Sequence, residues 1–463
     1  MLIAIPKEVV TIIKEFQKHK YPIYIVGGAV RDILMGKEVS DWDFTTSATP
    51  EEMLAFLPNS YYTNSFGTVG VPSETKDLKP FEITTFRTEH GGYSDHRRPN
   101  EVRWGKTLKE DLQRRDFTIN ALALEVNLDN QKRKDLLEVN LIDYFDGKKD
   151  LNEKIIKAVG EPHDRFSEDA LRLVRAVRIA SELGFNIEEN TLEAIKKHSD
   201  LINKISKERI RDELIKIFSS PKPHKGIILL KETLLLEHIL PEMTKTYGVE
   251  QKSPGRHHIS DVWTHSLDSL KFVSEINKDP IVRFATLIHD IGKPQTFKVL
   301  PSGTITFYNH EVVGAIIARR IAERLRFSNE QKDKLVRLVR YHQFTVNENQ
   351  TDSALRRFIR NVTPQLIPDM IDLRIGDRLG SGAKLTSWRL ENFKKRLIEV
   401  QKQPFSLKDI KVTGHDVMEI LNIPPGKKVG EVLNDIFKKV ENKELENERD
   451  ALVQYIKSLK TEA

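Results

Sequence analysis

The apolar positions change rhythm along the chain. In the first third they fall in short runs rich in β-branched and aromatic residues: "IYIVGGAV" from Ile23, "DWDFTT" from Asp41, "FGTVGV" from Phe66 and "FEITTF" from Phe81. Such runs predict strands. The opening "MLIAIPKEVVTIIKEFQKHK" instead spaces its apolar residues as one face of an amphipathic helix. After about residue 150 nearly every segment has helical period. "SEDALRLVRAVRIASELGF" is expected to open with Ser167 as N-cap and to close at Gly184 as C-cap. Pro and Gly at "SSPKPHKG", "KSPGRHH" and "LPSG" separate the later helices. Strands first and helices afterwards predict an α+β fold, a head with a small mixed sheet followed by all-helical segments.

Composition narrows the chemistry. The chain has 463 residues, which suggests about three domains and leaves ample material for a core. It contains no cysteine, so disulfides and thiolate metal sites are excluded and any metal must be held by His and carboxylates. The N-terminus does not read as a signal peptide, and no apolar run approaches the roughly 20 residues of a membrane span. These features predict a cytoplasmic protein with no membrane partner. The net charge of +6 is compatible with a nucleic-acid partner without demanding one.

One stretch, "YIVGGAVRDILMGKEVSDWDF", concentrates the chemistry. Gly27 and Gly28 lie at a strand-to-helix junction, where a phosphate can approach backbone N–H groups. Arg31, one turn on, adds a donor fork. In a strand, Asp41 and Asp43 project to the same side while Trp42 points away. Two adjacent carboxylates repel unless a cation holds them, and oxygen-only ligation suits Mg²⁺ with substrate phosphates. The sum is a nucleoside triphosphate held by backbone at one end and by metal at the other. Further on, Arg115 and Asp116 precede a helix-like "TINALAL". Asp169 and Arg172, three apart on an expected helix, make a fixed acceptor–donor edge. Arg175 and Arg178 continue that spacing.

"VGGAVRDILMG" followed by "DWD" resembles the class II nucleotidyltransferases, the family of CCA-adding tRNA nucleotidyltransferases and bacterial poly(A) polymerases. Four further stretches match in order: "RRDFTINALA", "DYFDGKKDL", "EDALRLVRAVR" and "SKERIRDEL". The resemblance implies attack of a tRNA 3′-hydroxyl on the α-phosphate of CTP or ATP, with two metal ions between Asp41 and Asp43. It implies that Asp169 and Arg172 template the incoming base, and that Arg175 and Arg178 face the triphosphate. Glu82 is a candidate third carboxylate. The segment from Thr88 to Pro99, with Gly91 and Gly92 as hinges, looks full length, which argues against CC addition alone. CCA addition is expected. A addition or poly(A) polymerisation is the alternative.

A second constellation lies downstream in "WTHSLDSL", "ATLIHDIGKP", "FYNHEVVGA", "VRYHQF" and "RIGDRLGSG". His265, His289, Asp290 and Asp377 resemble the ligand series of the HD phosphohydrolase superfamily, each in a helical segment. His310 and His342 are candidates for a second metal or for phosphate, and Lys293 for phosphate. The resemblance implies a divalent metal of unspecified identity and a phosphatase or cyclic phosphodiesterase. A rival reading makes the chain an RNA-end phosphohydrolase whose head only positions substrate; another is a non-catalytic RNA-binding protein. "TGHDVM" and "PPGKKVGEVL" resemble the tail of CCA-adding enzymes, where Gly426 and Gly430 would frame a turn and Lys427 and Lys428 grip phosphate. The expected division is a head over 1–150, a helical neck over 151–225, an HD body over 226–390 and an RNA-binding tail over 391–463.

Overall fold

The computed structural model describes residues 1–463 apart from 65–66, 76–77, 91–100, 129–135, 252–259, 348, 402–406, 443 and 462–463. The hinge glycines Gly91 and Gly92, and the segment to Pro99, lie outside the described residues. The chain packs as two compact units. One comprises residues 1–247, 278–281 and 320–328; the other comprises 248–277, 282–319 and 329–463. Among the described residues no helix is long and apolar enough to cross a membrane.

The first unit is built on strands β1 (Leu2–Ile3), β2 (Ile23–Val26), β3 (Asp43–Thr46), β4 (Tyr61–Asn64), β5 (Thr68–Val71) and β6 (Phe81–Thr85). Then come β7 (Arg87–His90), β8 (Glu101–Trp104), β9 (Leu122–Asn127) and β10 (Leu137–Asp143). Eight of them form one sheet in the order β1-β10-β9-β2-β3-β6-β5-β4, while β7 and β8 pair separately. Only β3 and β6 run parallel within the large sheet. The amphipathic first helix, Lys7–Lys18, buries Val9, Ile12, Ile13 and Phe16 against Phe44, Ile83 and Leu124 of one sheet face. Val26, Phe86, Leu112 and Ala123 cover the other face.

This two-sided burial explains one departure from the sequence reading. "TINALAL" is not a helix: Thr118–Asn120 make a 3₁₀ turn and Leu122 onward is β9. A strand covered on both faces has no polar alternation to give it away. A second departure is at Ser167. It lies inside the helix Pro162–Glu168, and a new helix, Leu171–Leu183, follows a break at Asp169 (φ −130°, ψ 102°). The Asp169 carboxylate accepts from the Leu171 N–H at 3.0 Å, starting the new helix. Asp169 and Arg172 therefore do not share one helix face. Gly184 does end that helix, in the left-handed region at φ 71°.

In the second unit the helices Val262–Ile276 and Ile367–Gly380 cross closely. A Cβ at Gly376 would stand 2.2 Å from Val273 Cγ2 and 2.9 Å from Ser269 O. One at Gly380 would stand 2.3 Å from Ser269 Oγ and 2.8 Å from Ser269 N. Only glycine lets the two backbones meet there, and that approach carries Asp377 toward His265. The tail packs its own cluster, with Val417, Ile436, Leu452 and Ile456 fully buried. The expected turn there is corrected: Gly426 precedes the helix Lys427–Glu441, but Gly430 lies within it. Lys427 is solvent-exposed beside Glu431.

Gly380→Ala is expected to destabilise the second unit by about 1–3 kcal/mol, because backbone and not only side chain must move. Urea unfolding followed by circular dichroism checks this; an unchanged midpoint would contradict the close crossing.

Candidate active site

The first site forms where β2, β3, β6 and the Leu171–Leu183 helix converge. Gly27 has φ 72° and ψ −137°, a conformation that favours glycine. A Cβ there would also stand 3.2 Å from Arg115 Nη1 and 3.5 Å from Asp43 Oδ2. The glycine thus keeps a gap between a cation and an anion. The gap opens into a cavity of about 350 Å³. Six arginines line it, Arg87, Arg114, Arg115, Arg172, Arg175 and Arg209, beside Asp43, Glu82, Asp116 and Asp169.

Asp43 is the first residue of β3, and parallel pairing sets Glu82 of β6 directly across from it. Burial first, and then Asp41, push the Asp43 carboxyl up to about 6; Glu82 adds to this while Arg115 and Lys79 oppose it. A carboxylate so placed favours a cation. Asp41 differs from expectation. The β2–β3 ladder begins at Asp43, so Asp41 lies before the strand. Trp42 between them is anchored in the core, with its Nε1 donating to Val39 O at 3.2 Å. The Asp41 carboxylate is exposed and accepts from Lys79 Nζ at 2.7 Å. The set fits a metal: Asp43 feels the charge of both Asp41 and Glu82, and an ammonium is already drawn to Asp41.

Asp116 is spoken for by protein. Its Oδ2 accepts from Arg175 Nε at 2.9 Å and Nη2 at 2.5 Å, and its Oδ1 from the Phe117 N–H and Asn120. Burial alone would raise its pKa, but Arg175 outweighs it and holds the carboxyl far below the usual range. The pair fixes Arg175 at the cavity wall. Arg172 is clamped by Glu168 at 2.6 Å and by the carbonyls of Arg114 and Arg165. Arg209 donates to Asp169 at 3.2 Å. Arg115 lines the cavity, with its Nη2 donating to Asp111 Oδ2 at 3.4 Å and its Nε buried.

Three expected residues, Asp41, Arg31 and Arg178, stand apart from the cavity lining. Arg31 bonds Asp32 twice and Asn120 once. Arg178 is half-buried and ion-paired with Glu182 and Glu213. Conversely, Glu168, Arg209, Arg114 and Asn120 were not singled out as ligands by the sequence. All four lie in the matched motifs, so the signal was present and only the partners were unknown.

The second site lies wholly within the other unit. His265, His289 and Asp290 cluster, as do Asp290, His310 and His342, all buried. Asp290 joins the halves. Its Oδ2 is 3.2 Å from His289 Nε2 and 3.4 Å from His265 Nε2, and its Oδ1 is 3.2 Å from His310 Nε2. Asp377 Oδ1 is 3.2 Å from His265 Nε2. The expectation that every ligand is helical needs correction. His289, Asp290 and His342 sit just past helix C-termini. The reason is the open carbonyls there. His289 Nδ1 is 2.7 Å from Thr286 O, and His342 Nδ1 is 2.7 Å from Val339 O. His310 Nδ1 is 2.8 Å from Phe307 O. Each ring is thereby oriented with Nε2 toward the cluster. Burial would lower the His289 pKa, but Asp290 and Asp377 outweigh it and lift the group to about 10. The cluster favours positive charge at its centre, as a divalent-cation site does.

Comparison with known proteins gives consistent matches. The Poly A polymerase head domain model matches residues 23–157, and the model for a probable RNA- and SrmB-binding site of polymerase A matches 184–246. A tRNA nucleotidyltransferase domain 2 model matches 315–456. A CCA-adding enzyme of Lactococcus lactis is 31% identical over 449 residues, covering 97% of this chain and 95% of that enzyme. The chain belongs to the CCA-adding enzymes, within the class II tRNA nucleotidyltransferases. The Geobacillus stearothermophilus CCA-adding enzyme is likewise 31% identical over 97% of this chain. A solved CCA-adding enzyme from Bacillus stearothermophilus, in complex with CTP, is 27% identical, covers 98% of both chains and superposes with a TM-score of 0.67. A Thermotoga maritima CCA-adding enzyme complexed with tRNA shares the fold at 21% identity and a TM-score of 0.58. Gly27, Asp43, Glu82, Arg115 and Asp116 of the cavity fall in the head-domain match and Arg209 in the second, whereas Asp169, Arg172 and Arg175, like His265, His289, Asp290 and His310, fall outside all three matched ranges.

Gly27→Ala is expected to lower kcat/KM for nucleotide addition about 100-fold, the scale of a misplaced reacting group. Steady-state incorporation with a parallel thermal melt checks it; near-parent turnover would show that the gap between Asp43 and Arg115 is not where nucleotide binds.

Proposed function

We propose that this CCA-adding enzyme carries out addition to the tRNA 3′ end at the Gly27 cavity, with Asp41 and Asp43 as the metal-holding carboxylates. The observation that carries this is the half-buried Asp43 carboxylate, which feels the charge of Asp41 and Glu82 and faces arginines across a gap kept open by glycine. CTP and ATP are the nucleotides and tRNA is the partner. Mg²⁺ at these carboxylates would lower the pKa of the attacking hydroxyl and offset charge on the leaving pyrophosphate. Arg175, locked by Asp116, and Arg115, whose Nη1 borders the Gly27 gap, hold the triphosphate. Arg172, clamped by Glu168, and Asp169, held by Arg209, present the edge that selects the base. Arg31 and Arg178 support the walls and do not face the ligand directly. The reading keeps a head over 1–150, a neck over 151–225, a body over 226–390 and a tail over 391–463.

Purified protein is incubated with tRNA lacking its 3′ CCA and each labelled nucleotide. The parent should add two C and one A. Asp43→Asn should lose at least about 1,000-fold of that rate, as expected for removing a group that stabilises charge in the transition state. Arg172→Ala should relax the choice of CTP and ATP over UTP and GTP by about tenfold or more. A-only or repeated A addition by the parent would instead favour the A-adding or poly(A) reading.

We further propose that the second cluster is an HD-type centre for two divalent ions, with Asp290 shared between them. The converging Nε2 atoms of four histidines support it. Water would add to phosphorus, the P–O bond to the ribose would break, and the released oxygen would take the water's proton. Metal analysis of the dialysed parent should find about two ions per chain beyond loosely held Mg²⁺. Asp290→Ala should lose both and all phosphohydrolase activity, while CCA addition persists if the melt is unchanged. Metal retention by Asp290→Ala would refute the shared ligand.

A further inference from the structure

The helix Ile367–Gly380 does more than supply Asp377. Arg374, Asp377, Arg378 and Ser381 stand at positions i, i+3, i+4 and i+7 and so share one face. Arg374 Nη1 donates to Asp377 Oδ2 at 2.9 Å, on the carboxylate oxygen turned away from His265. Arg378 donates once, from Nη2 to Lys384 O at 3.2 Å. The Nε atoms of both arginines are buried without a protein partner. Arg374 is braced from below by Phe344, its guanidinium 5.5 Å over that ring, and Phe344 stacks on Phe393 at 5.3 Å.

This face is the common wall of two cavities. On one side lies a space of about 590 Å³ that reaches Asp290, His310, His342 and Lys293, with Tyr308 at its rim. On the other lies a space of about 660 Å³ bounded by Phe344, Ser387, Trp388 and Arg389. Gln343, Arg374 and Arg378 line both. Tyr308 is 71% exposed and Trp388 is 64% exposed. An aromatic ring thus stands exposed on each side of a charged wall, the Trp388 ring with the Arg389 guanidinium 5.3 Å from its centre. From rim to rim the order is aromatic ring, histidine–aspartate cluster, arginine pair, aromatic ring.

A mononucleotide would use only the first cavity. Single-stranded nucleic acid alternates a flat base with a phosphate, and its binding sites alternate stacking platforms with cationic grooves. We infer that the second cavity is a subsite for an oligoribonucleotide end of at least two nucleotides. Its terminal phosphate lies at the histidine–aspartate cluster with the last base on Tyr308. Its neighbouring phosphodiester lies on Arg374 and Arg378, and the preceding base stacks on Trp388. The inference rests on the HD reading for the identity of the terminal phosphate site, and the subsite itself rests on the shared arginine wall.

The test uses the full chain and a fluorescein-labelled tetranucleotide ending in a 3′-phosphate, followed by anisotropy, with an unlabelled nucleoside 3′-phosphate as competitor. The tetranucleotide should bind about tenfold or more tighter than the mononucleotide. Trp388→Ala should weaken it about tenfold, the size of losing one base–aromatic stack. Trp388→Phe, which keeps a ring, should bind within about twofold of the parent, and Arg378→Gln should weaken the tetranucleotide. Equal affinities for parent and Trp388→Ala would overturn the subsite. So would a Trp388→Ala defect confined to intact tRNA, which would place the ring against the tRNA body, or equal capture of a phosphopeptide. Phosphate release is measured separately with several divalent ions supplied. If none is released from any substrate while binding still depends on Trp388, the hydrolase reading fails and the subsite stands.

Discussion

The head depends on holding the half-buried Asp43 carboxylate at the start of a strand. Burial and the charge of Asp41 both oppose ionisation there, enough to move the group to about 6. Such an arrangement is costly for the fold. It is tolerated because β3 is fixed on both sides, by β2 through Val26 and by β6 through Glu82. The same pairing that holds Asp43 places it beside Gly27, so the sheet register and the active gap are one feature. The arginines answer the carboxylates from the opposite wall. Arginines dominate the nucleotide side, while on the carboxylate side Lys79 pairs with Asp41 and Arg115 acts on Asp43.

Much of this was legible in the sequence. Gly27, Asp43, Arg115, Asp169, Arg172 and Arg175 were named from motif and spacing, and all line one cavity. What spacing could not reveal was partnership. Arg178 has the same three-residue interval as Arg175, yet Glu213 on a neighbouring helix turns it into a packing residue. Asp169 and Arg172 look like helix-face neighbours, but Asp169 caps the next helix and breaks the one before. Asp41 and Asp43 look like one strand face, but pairing starts a residue or two later than the pattern suggests. Strands covered on both faces, such as β9, carry no alternation and were read as helix. In each case tertiary contact decided among options that local pattern left equal.

The second unit follows a parallel logic with different chemistry. Open carbonyls at helix ends orient imidazoles, and glycines at a helix crossing bring Asp377 to His265. The histidine motifs were visible in sequence, whereas the division of Asp290 between two groups of ligands needed the structure. Both sites gather groups that can ligate a cation, carboxylates in the head and buried imidazoles with carboxylates in the second unit.

The most direct test of the account is a crystal structure of the protein with CTP and Mn²⁺, with the metal located by its anomalous scattering. The account predicts an anomalous peak in contact with both Asp41 and Asp43, the Lys79 ammonium displaced from Asp41, and the triphosphate against Arg115 and Arg175. CTP bound with no metal density at Asp43, or with its phosphates outside the Gly27 gap, would contradict it.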